Sequence, residues 1–209
     1  MSRVFELSEP DEEALAAAER ALSGGRLVVL PTDTVYGVSA RPDVPGATGR
    51  LFRAKGRSRA LTLPVLAADL AAAEQVAPFD DRVRALAQRF WPGALTLVVR
   101  RSEASRGWDL GDEQDTVGLR VPGHPVAVAL LRRTGPLAVT SANRSGATTP
   151  PDCEGVRAAL GDSVEVYLCA GRASGSSSTV VDVTRSLPRV VRRGGIQEAQ
   201  ILSAWTRSV

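Results

Sequence analysis

Leu27-Val28-Val29-Leu30-Pro31-Thr32-Asp33-Thr34-Val35-Tyr36-Gly37 joins an uninterrupted apolar run to a polar turn. An apolar run of four residues bounded by turn formers reads as a strand buried on both faces. In open α/β sheets, ligands collect just beyond the carboxyl ends of such strands. The turn that follows carries two hydroxyls and a carboxylate, the polar groups a small-molecule site needs. The same residues are also ordinary turn formers. Taken alone, the segment supports either reading.

Outward from this stretch, helices and strands alternate. Residues 8–22 read as a helix, with Ser8 as cap, acids at 11–13 in the first turn, and Leu15, Ala18 and Leu22 on one face. Gly24-Gly25 ends it, and strands 26–30 and 36–40 follow. A short helix over 46–54 delivers Lys55-Gly56-Arg57, and 61–66 reads as a strand. Helix 80–90 is amphipathic through Val83, Leu86, Ala87 and Phe90, and Trp91-Pro92-Gly93 stops it. Strands at 94–99 and 116–121 flank a longer polar loop around Trp108. Helix 125–133, strand 137–140 and helix 153–160 come next. Strands at 165–168, 178–183 and 189–192 precede a final helix over 197–205. This interspersion predicts a layered α/β domain built on a mixed sheet. Ala170 to Ser177 is the softest segment and reads as a flexible loop.

Composition narrows the chemistry. The 209 residues are 44% apolar and 23% charged, ordinary for one soluble domain. No apolar run approaches the roughly 18 residues of a membrane helix, and residues 1–11 lack an export signal, so a cytoplasmic protein is expected. Cys153 and Cys169 form no C-x-x-C motif, and reduced thiols are the default expectation for the pair. The single histidine, His124, sits before Pro125 in a surface or helix-capping context. With so few His and Cys ligands, zinc chemistry and a Ser-His-Asp hydrolase both lose support. The net charge is +3 and Lys55 is the one lysine in an arginine-rich chain. The isoelectric point of about 9.4 suits an anionic ligand or weak nucleic-acid affinity.

Several polar segments fall at strand ends or helix starts. Lys55-Gly56-Arg57-Ser58-Arg59 places three cations in five residues. Such a cluster suits phosphate oxygens, with Lys as a point charge and Arg as a fork, although a solvated charged loop has the same composition. Neither G-x-x-x-x-G-K-[ST] nor G-x-G-x-x-G is present, so Walker-type and dinucleotide binding find no support. Thr140-Ser141-Ala142-Asn143-Arg144-Ser145-Gly146 follows an apolar strand, as a ligand-orienting turn or as a cap. Ser176-Ser177-Ser178-Thr179 leads into another strand, and Arg192 ends a third. On strand 116–121, Arg120 faces opposite to Leu119 and Val121, toward a cleft or toward solvent.

In this order the segments resemble the YrdC/Sua5 family of threonylcarbamoyl-AMP synthases. The matching pieces are Pro31 to Gly37, Lys55-Gly56-Arg57, Trp91-Pro92-Gly93, Thr116 to Pro125, Ser141-Ala142-Asn143 with Ser145-Gly146, Ser178 to Asp182, and Arg192. They span about 31 to 195, and the length suits the short, single-domain form with no additional C-terminal domain. The resemblance implies a twisted mixed α/β sheet with flanking helices around a concave, basic cavity. It implies that L-threonine, bicarbonate and ATP become threonylcarbamoyl-AMP and pyrophosphate, for the modification of adenosine 37 in transfer RNA by partner proteins.

Carried over by position, Lys55 and Arg57 are the expected catalytic pair, contacting the triphosphate together with Arg59. Thr116, Asn143, Thr149 and Arg192 are expected beside the nucleotide. Thr32, Thr34, Arg120, Ser141 and Ser178 are expected around threonine, Arg120 pairing with its carboxylate; which of Thr32 and Thr34 touches ligand stays open. Mg²⁺ is expected as a bridge held by phosphates and water rather than by a protein cage. The chain departs from the family pattern at Ser58 and Thr62, where prolines are common, and lacks an acidic residue before Ser178. Two other readings stand beside this one: a paralogue of the same fold acting on another carbamoyl or acyl-adenylate ligand, and a double-stranded RNA-binding module.

Overall fold

The computed structural model describes residues 2–207. In chain order its first part runs β1 (Arg3–Glu6), α1 (Glu12–Ser23), β2 (Val28–Leu30), β3 (Gly37–Ala40), α2 (Ala47–Lys55), β4 (Val65–Leu66) and α3 (Leu70–Val76). The middle contains α4 (Asp81–Phe90), β5 (Leu95–Arg100), α5 (Glu103–Arg106), β6 (Thr116–Arg120), α6 (Pro125–Thr134) and β7 (Leu137–Ser141). The last part is α7 (Cys153–Leu160), β8 (Val166–Cys169), β9 (Thr179–Asp182), β10 (Arg189–Arg192) and α8 (Glu198–Thr206).

The described strands form one mixed sheet in the order β1-β8-β2-β3-β7-β4-β6-β5-β9-β10. Its two-sided burial explains the opening run. Val28 and Leu30 point to the side covered by α1 and α6, among Leu15, Ala18, Leu22, Val126 and Leu130. Leu27 and Val29 point to the other side, among Leu51 and Phe52 of α2 and Leu86 of α4. A strand covered on both faces reads as continuous apolar sequence, because no position on it needs to be polar. Leu30 of β2 pairs with Gly37 of β3, so the whole segment 31–36 is the connection between them.

The cap of α1 is Asp11, not Ser8. The Asp11 carboxylate accepts from Ala14 N at 2.8 Å, the geometry that satisfies an orphan N–H of the first turn. Residues ahead of it form β1, whose partner β8 lies far along the chain, so no local pattern announces it. The strand expected over 61–66 shrinks to Val65–Leu66. Leu63 N donates instead to Leu110 O, and the carbonyls of Leu61 and Thr62 accept from the Arg57 side chain. Helices α3 and α5 occupy stretches that carry no expectation from sequence. His124 caps α6 as its position suggests, its Nδ1 accepting from Val126 N at 3.3 Å; burial lowers its pKa, which favours that neutral acceptor.

Two expectations about the C-terminal third change. Cys153 and Cys169 form a disulfide with Cα atoms 5.5 Å apart, not a pair of free thiols. Helix α7 starts directly beside the end of β8, and that packing, which no spacing motif encodes, decides the pairing. The segment 170–177 has no regular structure but is pinned rather than loose. Tyr36 OH donates to Gly171 O at 2.7 Å and accepts from Ala170 N at 2.8 Å. Ser174 Oγ donates to Thr34 O at 2.9 Å, and Gly175 N to the same carbonyl at 3.0 Å. No helix among the described residues is long and apolar enough to cross a membrane.

The disulfide closes a loop of sequence separation 16. Protein denatured without reductant should titrate no free thiol, and two after reduction. The double variant Cys153→Ala, Cys169→Ala should lose about 3 kcal/mol of stability in urea unfolding. Two free thiols before reduction would refute the assignment.

Candidate active site

A cavity of about 450 Å³ opens over the sheet at the end of the 31–37 turn. Its floor comes from Gly37 of β3, Val139, Thr140 and Ser141 of β7, Thr116 and Gly118 of β6, and Thr96 and Val98 of β5. Alternation selects most of those side chains: Leu95, Leu97 and Leu119 belong to the core cluster on the opposite side, while Val117 reaches both the core and the cavity. The walls are Thr32, Val35, Arg57, Thr62, Pro64, Thr149, Ser177, Ser178, Val180 and Arg192.

The lining contains two arginines and no carboxylate. Burial lowers the pKa of both Arg57 and Arg192, and Arg57 also feels the charge of Arg192. Arg57 donates from Nε to Leu61 O at 2.9 Å and from Nη2 to Thr62 O at 3.3 Å. This holds the 58–62 loop without the two prolines that the family pattern would supply. Arg192 donates to Ser178 O and Ser178 Oγ, each from Nη2 at 2.9 Å. Two guanidiniums with no acid among the lining residues make a site for an anion.

Behind the wall, Lys55 is 2% exposed and does not line the cavity. Gly56 ends α2 with φ of 60°, a left-handed turn that favours glycine and releases the chain toward Arg57. Lys55 Nζ donates to Ser141 O, to Asn143 O at 2.5 Å and to Asn143 Oδ1 at 3.4 Å. Asn143 Nδ2 donates to Arg144 O and Ala147 O, and its Oδ1 accepts from Thr149 at 3.1 Å. Lys55 and Asn143 therefore shape the 141–149 loop, while Ser141 and Thr149 carry that shape to the cavity surface. Arg59 points elsewhere: it stacks on Phe52 at 5.0 Å and pairs with Asp109 at 2.5 Å.

The opening turn is held by a buried relay. Arg120 is 6% exposed and donates to Gly93 O at 2.8 Å, Thr34 Oγ1 at 2.8 Å and Asp33 Oδ1 at 2.6 Å. Burial lowers the Arg120 pKa, and Asp33 acts in the opposite direction. Thr32 Oγ1 donates its one hydrogen to Val35 O at 2.6 Å. The 2.9 Å contact between the two threonine hydroxyls must then run from Thr34 to Thr32. Thr32 lines the cavity with its oxygen already engaged, and Thr34 lies beneath it. By contrast, the hydroxyls of Thr116, Ser141 and Ser177 face the cavity with no hydrogen-bond partner among the described residues.

The structure thus brings Thr32, Arg57, Thr116, Ser141, Thr149, Ser178 and Arg192 to one cavity. Lys55, Thr34, Arg120 and Asn143 stand directly behind it, and Arg59 outside it. Sequence reasoning missed Thr96, Val98, Thr62 and Pro64 as lining residues. The alternation of Leu95-Thr96-Leu97-Val98 was the available signal for the first two.

Burial, and then the charge of Arg57, lower the Lys55 pKa from 10.5 to about 8. Between these two values the unfolded chain holds a proton that the folded chain has released, so this group's contribution to stability rises with pH. The expected slope is about 1.4 kcal/mol per pH unit across that window. Urea unfolding of wild type against Lys55→Met at pH 7 to 10.5 measures it; a difference that stays flat would refute the shift.

A family model named Sua5_yciO_yrdC, described as telomere recombination, matches residues 20–194. A Mycobacterium leprae protein is 46% identical over 205 residues, covering 96% of this chain and 93% of its own. The Bacillus subtilis threonylcarbamoyl-AMP synthase is 35% identical over 199 residues, 94% of this chain and 57% of that protein. The crystal structure of Pyrococcus abyssi Sua5 complexed with L-threonine superposes with a TM-score of 0.88 at 33% identity, over 97% of this chain and 61% of that one.

Proposed function

We propose a function from one premise: the chain belongs to the Sua5/YciO/YrdC family. The reading is an L-threonylcarbamoyl-AMP synthase, a nucleotidyltransferase that consumes L-threonine, bicarbonate and ATP. The observation that carries it is the cavity lining itself, two arginines and a set of unpartnered hydroxyls with no carboxylate among them.

The chemistry suits that lining. Threonine's amine and bicarbonate condense to a carbamate with loss of water. A carbamate oxygen then attacks the α-phosphorus of ATP, and pyrophosphate leaves. No protein nucleophile takes part, so one histidine and a disulfide-bonded cysteine pair are no obstacle. Catalysis rests on alignment of two bound substrates and on cations that stabilise charge developing on phosphate oxygens. In this reading Arg57 and Arg192 face the phosphates with Thr116 and Thr149, while Ser141 and Ser178 face the amino acid. Lys55, Asn143, Thr34 and Arg120 act as positioning residues behind them. Arg59 would reach phosphate only by leaving Asp109. Mg²⁺ would arrive on the phosphates and keep its waters, since the lining offers it no carboxylate.

The product is an activated carbamoyl donor, which suits consumption by proteins that modify adenosine 37 of transfer RNA in the cytoplasm. Any direct RNA contact through the excess of arginine would weaken steeply with salt.

Incubation with ATP, labelled bicarbonate and L-threonine should release pyrophosphate only when threonine is present. Release with another amino acid and none with threonine would sink the reading. Arg57→Ala should lower kcat/KM by about a hundredfold with the melting transition retained.

A further inference from the structure

Thr96 has no role in the site as the sequence describes it, yet it is 6% exposed and on the cavity floor. Its Oγ1 lies 2.9 Å from Ser178 Oγ, and either atom can donate. Arg192 Nη2 donates to the same Ser178 oxygen at 2.9 Å. The two hydroxyls bring two hydrogens, and the contact between them uses one. The other has no acceptor among the described residues.

One direction of the shared bond lets both oxygens accept. If Thr96 donated, Ser178 Oγ would accept twice, and buried Thr96 Oγ1 would accept from nothing. If Ser178 donates, each oxygen accepts once, and all donors point one way: Arg192 to Ser178 to Thr96. Buried oxygens take the arrangement that satisfies them, and hydrogen bonds aligned in one direction strengthen each other. The hydrogen left over is then that of Thr96. A hydroxyl at the end of a chain that starts on a guanidinium is a strengthened donor, matched to an anionic oxygen.

The geometry holds this chain rigid. A Cβ on Gly118 would stand 3.2 Å from Thr96 Cγ2, so the missing side chain leaves the threonine methyl its place and turns the hydroxyl toward Ser178. A Cβ on Gly194 would fall within 2.3–2.5 Å of backbone atoms of Ser177, Ser178 and Thr179, so glycine permits the close crossing that fixes Ser178. We propose that Thr96 is a substrate-binding residue, the terminal donor of an Arg192–Ser178–Thr96 relay that grips an anionic oxygen of a bound substrate. The acceptor is a carboxylate or carbamate oxygen of the amino acid, or a phosphate oxygen of the nucleotide. The choice between them rests on the synthase reading; the donor itself does not.

The test measures dissociation constants for ATP and for L-threonine separately by calorimetry, independent of turnover, for wild type, Thr96→Val, Thr96→Ser and Ser178→Ala. Thr96→Val should weaken one of the two ligands by about ten- to a hundredfold with an unchanged melting transition. Thr96→Ser, which keeps the hydroxyl, should bind near the wild-type constant. Weakening confined to threonine assigns the amino-acid oxygen, and weakening confined to ATP assigns the phosphate. If Thr96→Val binds both ligands as wild type does while Ser178→Ala does not, Ser178 is the donor and the inference falls. It falls as well if Thr96→Ser is as weak as Thr96→Val, because the methyl would then be what matters. Wild type that binds ATP but never turns threonine over would defeat the synthase reading and leave the Thr96 assignment to the ATP measurement.

Discussion

The ion pair between Arg120 and Asp33 is the interaction on which the site depends. Its side chains are 7% and 23% exposed, so both charges are largely withdrawn from water. Desolvation of that kind costs several kcal/mol per ion and is offset only when every remaining donor finds a partner. Here every guanidinium nitrogen has one: Nε reaches Gly93 O and Nη1 reaches Thr34 Oγ1 beside the Nη2 contact with Asp33, and Asp33 Oδ1 accepts in addition from Gly123 N at 2.8 Å. Four segments meet at these two side chains: the turn after β2, the loop ahead of β5, the end of β6 and the approach to α6. A well-packed apolar pair would stabilise the same volume at least as well, but it would not orient a turn. The pair exchanges some stability for a single geometry of residues 31–36.

Lys55 repeats the device on the far side of the cavity. Its ammonium has three acceptors in Ser141 and Asn143 and no carboxylate, so the loop carbonyls carry the whole burden of solvating it. The cost shows as the lowered Lys55 pKa. Arg120 and Lys55 are thus both buried and both structural in contact, and each shapes a loop whose exposed members line the cavity. The two cations that line the cavity, Arg57 and Arg192, also lack an acid partner, but they face the open space. Charge available for a ligand and charge used to build the site fall on different residues.

Much of this was legible in the sequence, and the rest was hidden for identifiable reasons. The two-sided burial of Val28 to Leu30, the helix periodicity of 80–90 and the His124 cap are local patterns, and each reappears in the structure. The strand at Arg3–Glu6 was not legible, because its identity comes from pairing with residues more than a hundred and fifty positions away. The disulfide was hidden for the same reason: only the docking of α7 on β8 brings the cysteines together. At the candidate site, residue types and order pointed to loops that line one cavity, but not to which side chain of each loop faces inward. That Thr32 and Arg57 line the cavity while Thr34 and Lys55 lie behind it follows from hydrogen-bond partners, which a single sequence does not display. Arg59 illustrates the converse, since Asp109 and Phe52 take up a cation that the family resemblance assigns to phosphate.

The segment 170–177 shows how composition can mislead about order. Its Gly and Ser content is that of a flexible linker, yet five of its polar contacts land on the 31–36 turn. Tyr36 OH bridges Ala170 and Gly171, and Thr34 O accepts from both Ser174 and Gly175. Ala173 N donates to Pro151 O, and Arg172 pairs with Asp152 at 3.1 Å. The segment is therefore a strap whose two ends are fixed independently, by the disulfide at Cys169 and by the Arg192 contacts at Ser178. Gly171 and Gly175 are needed there for conformation rather than space: both sit at positive φ, 63° and 80°, and a Cβ on either would meet nothing within 4 Å. A ligand in the cavity meets Ser177 and Ser178 on a segment already ordered, so less entropy is lost on binding than a free loop of this composition would cost.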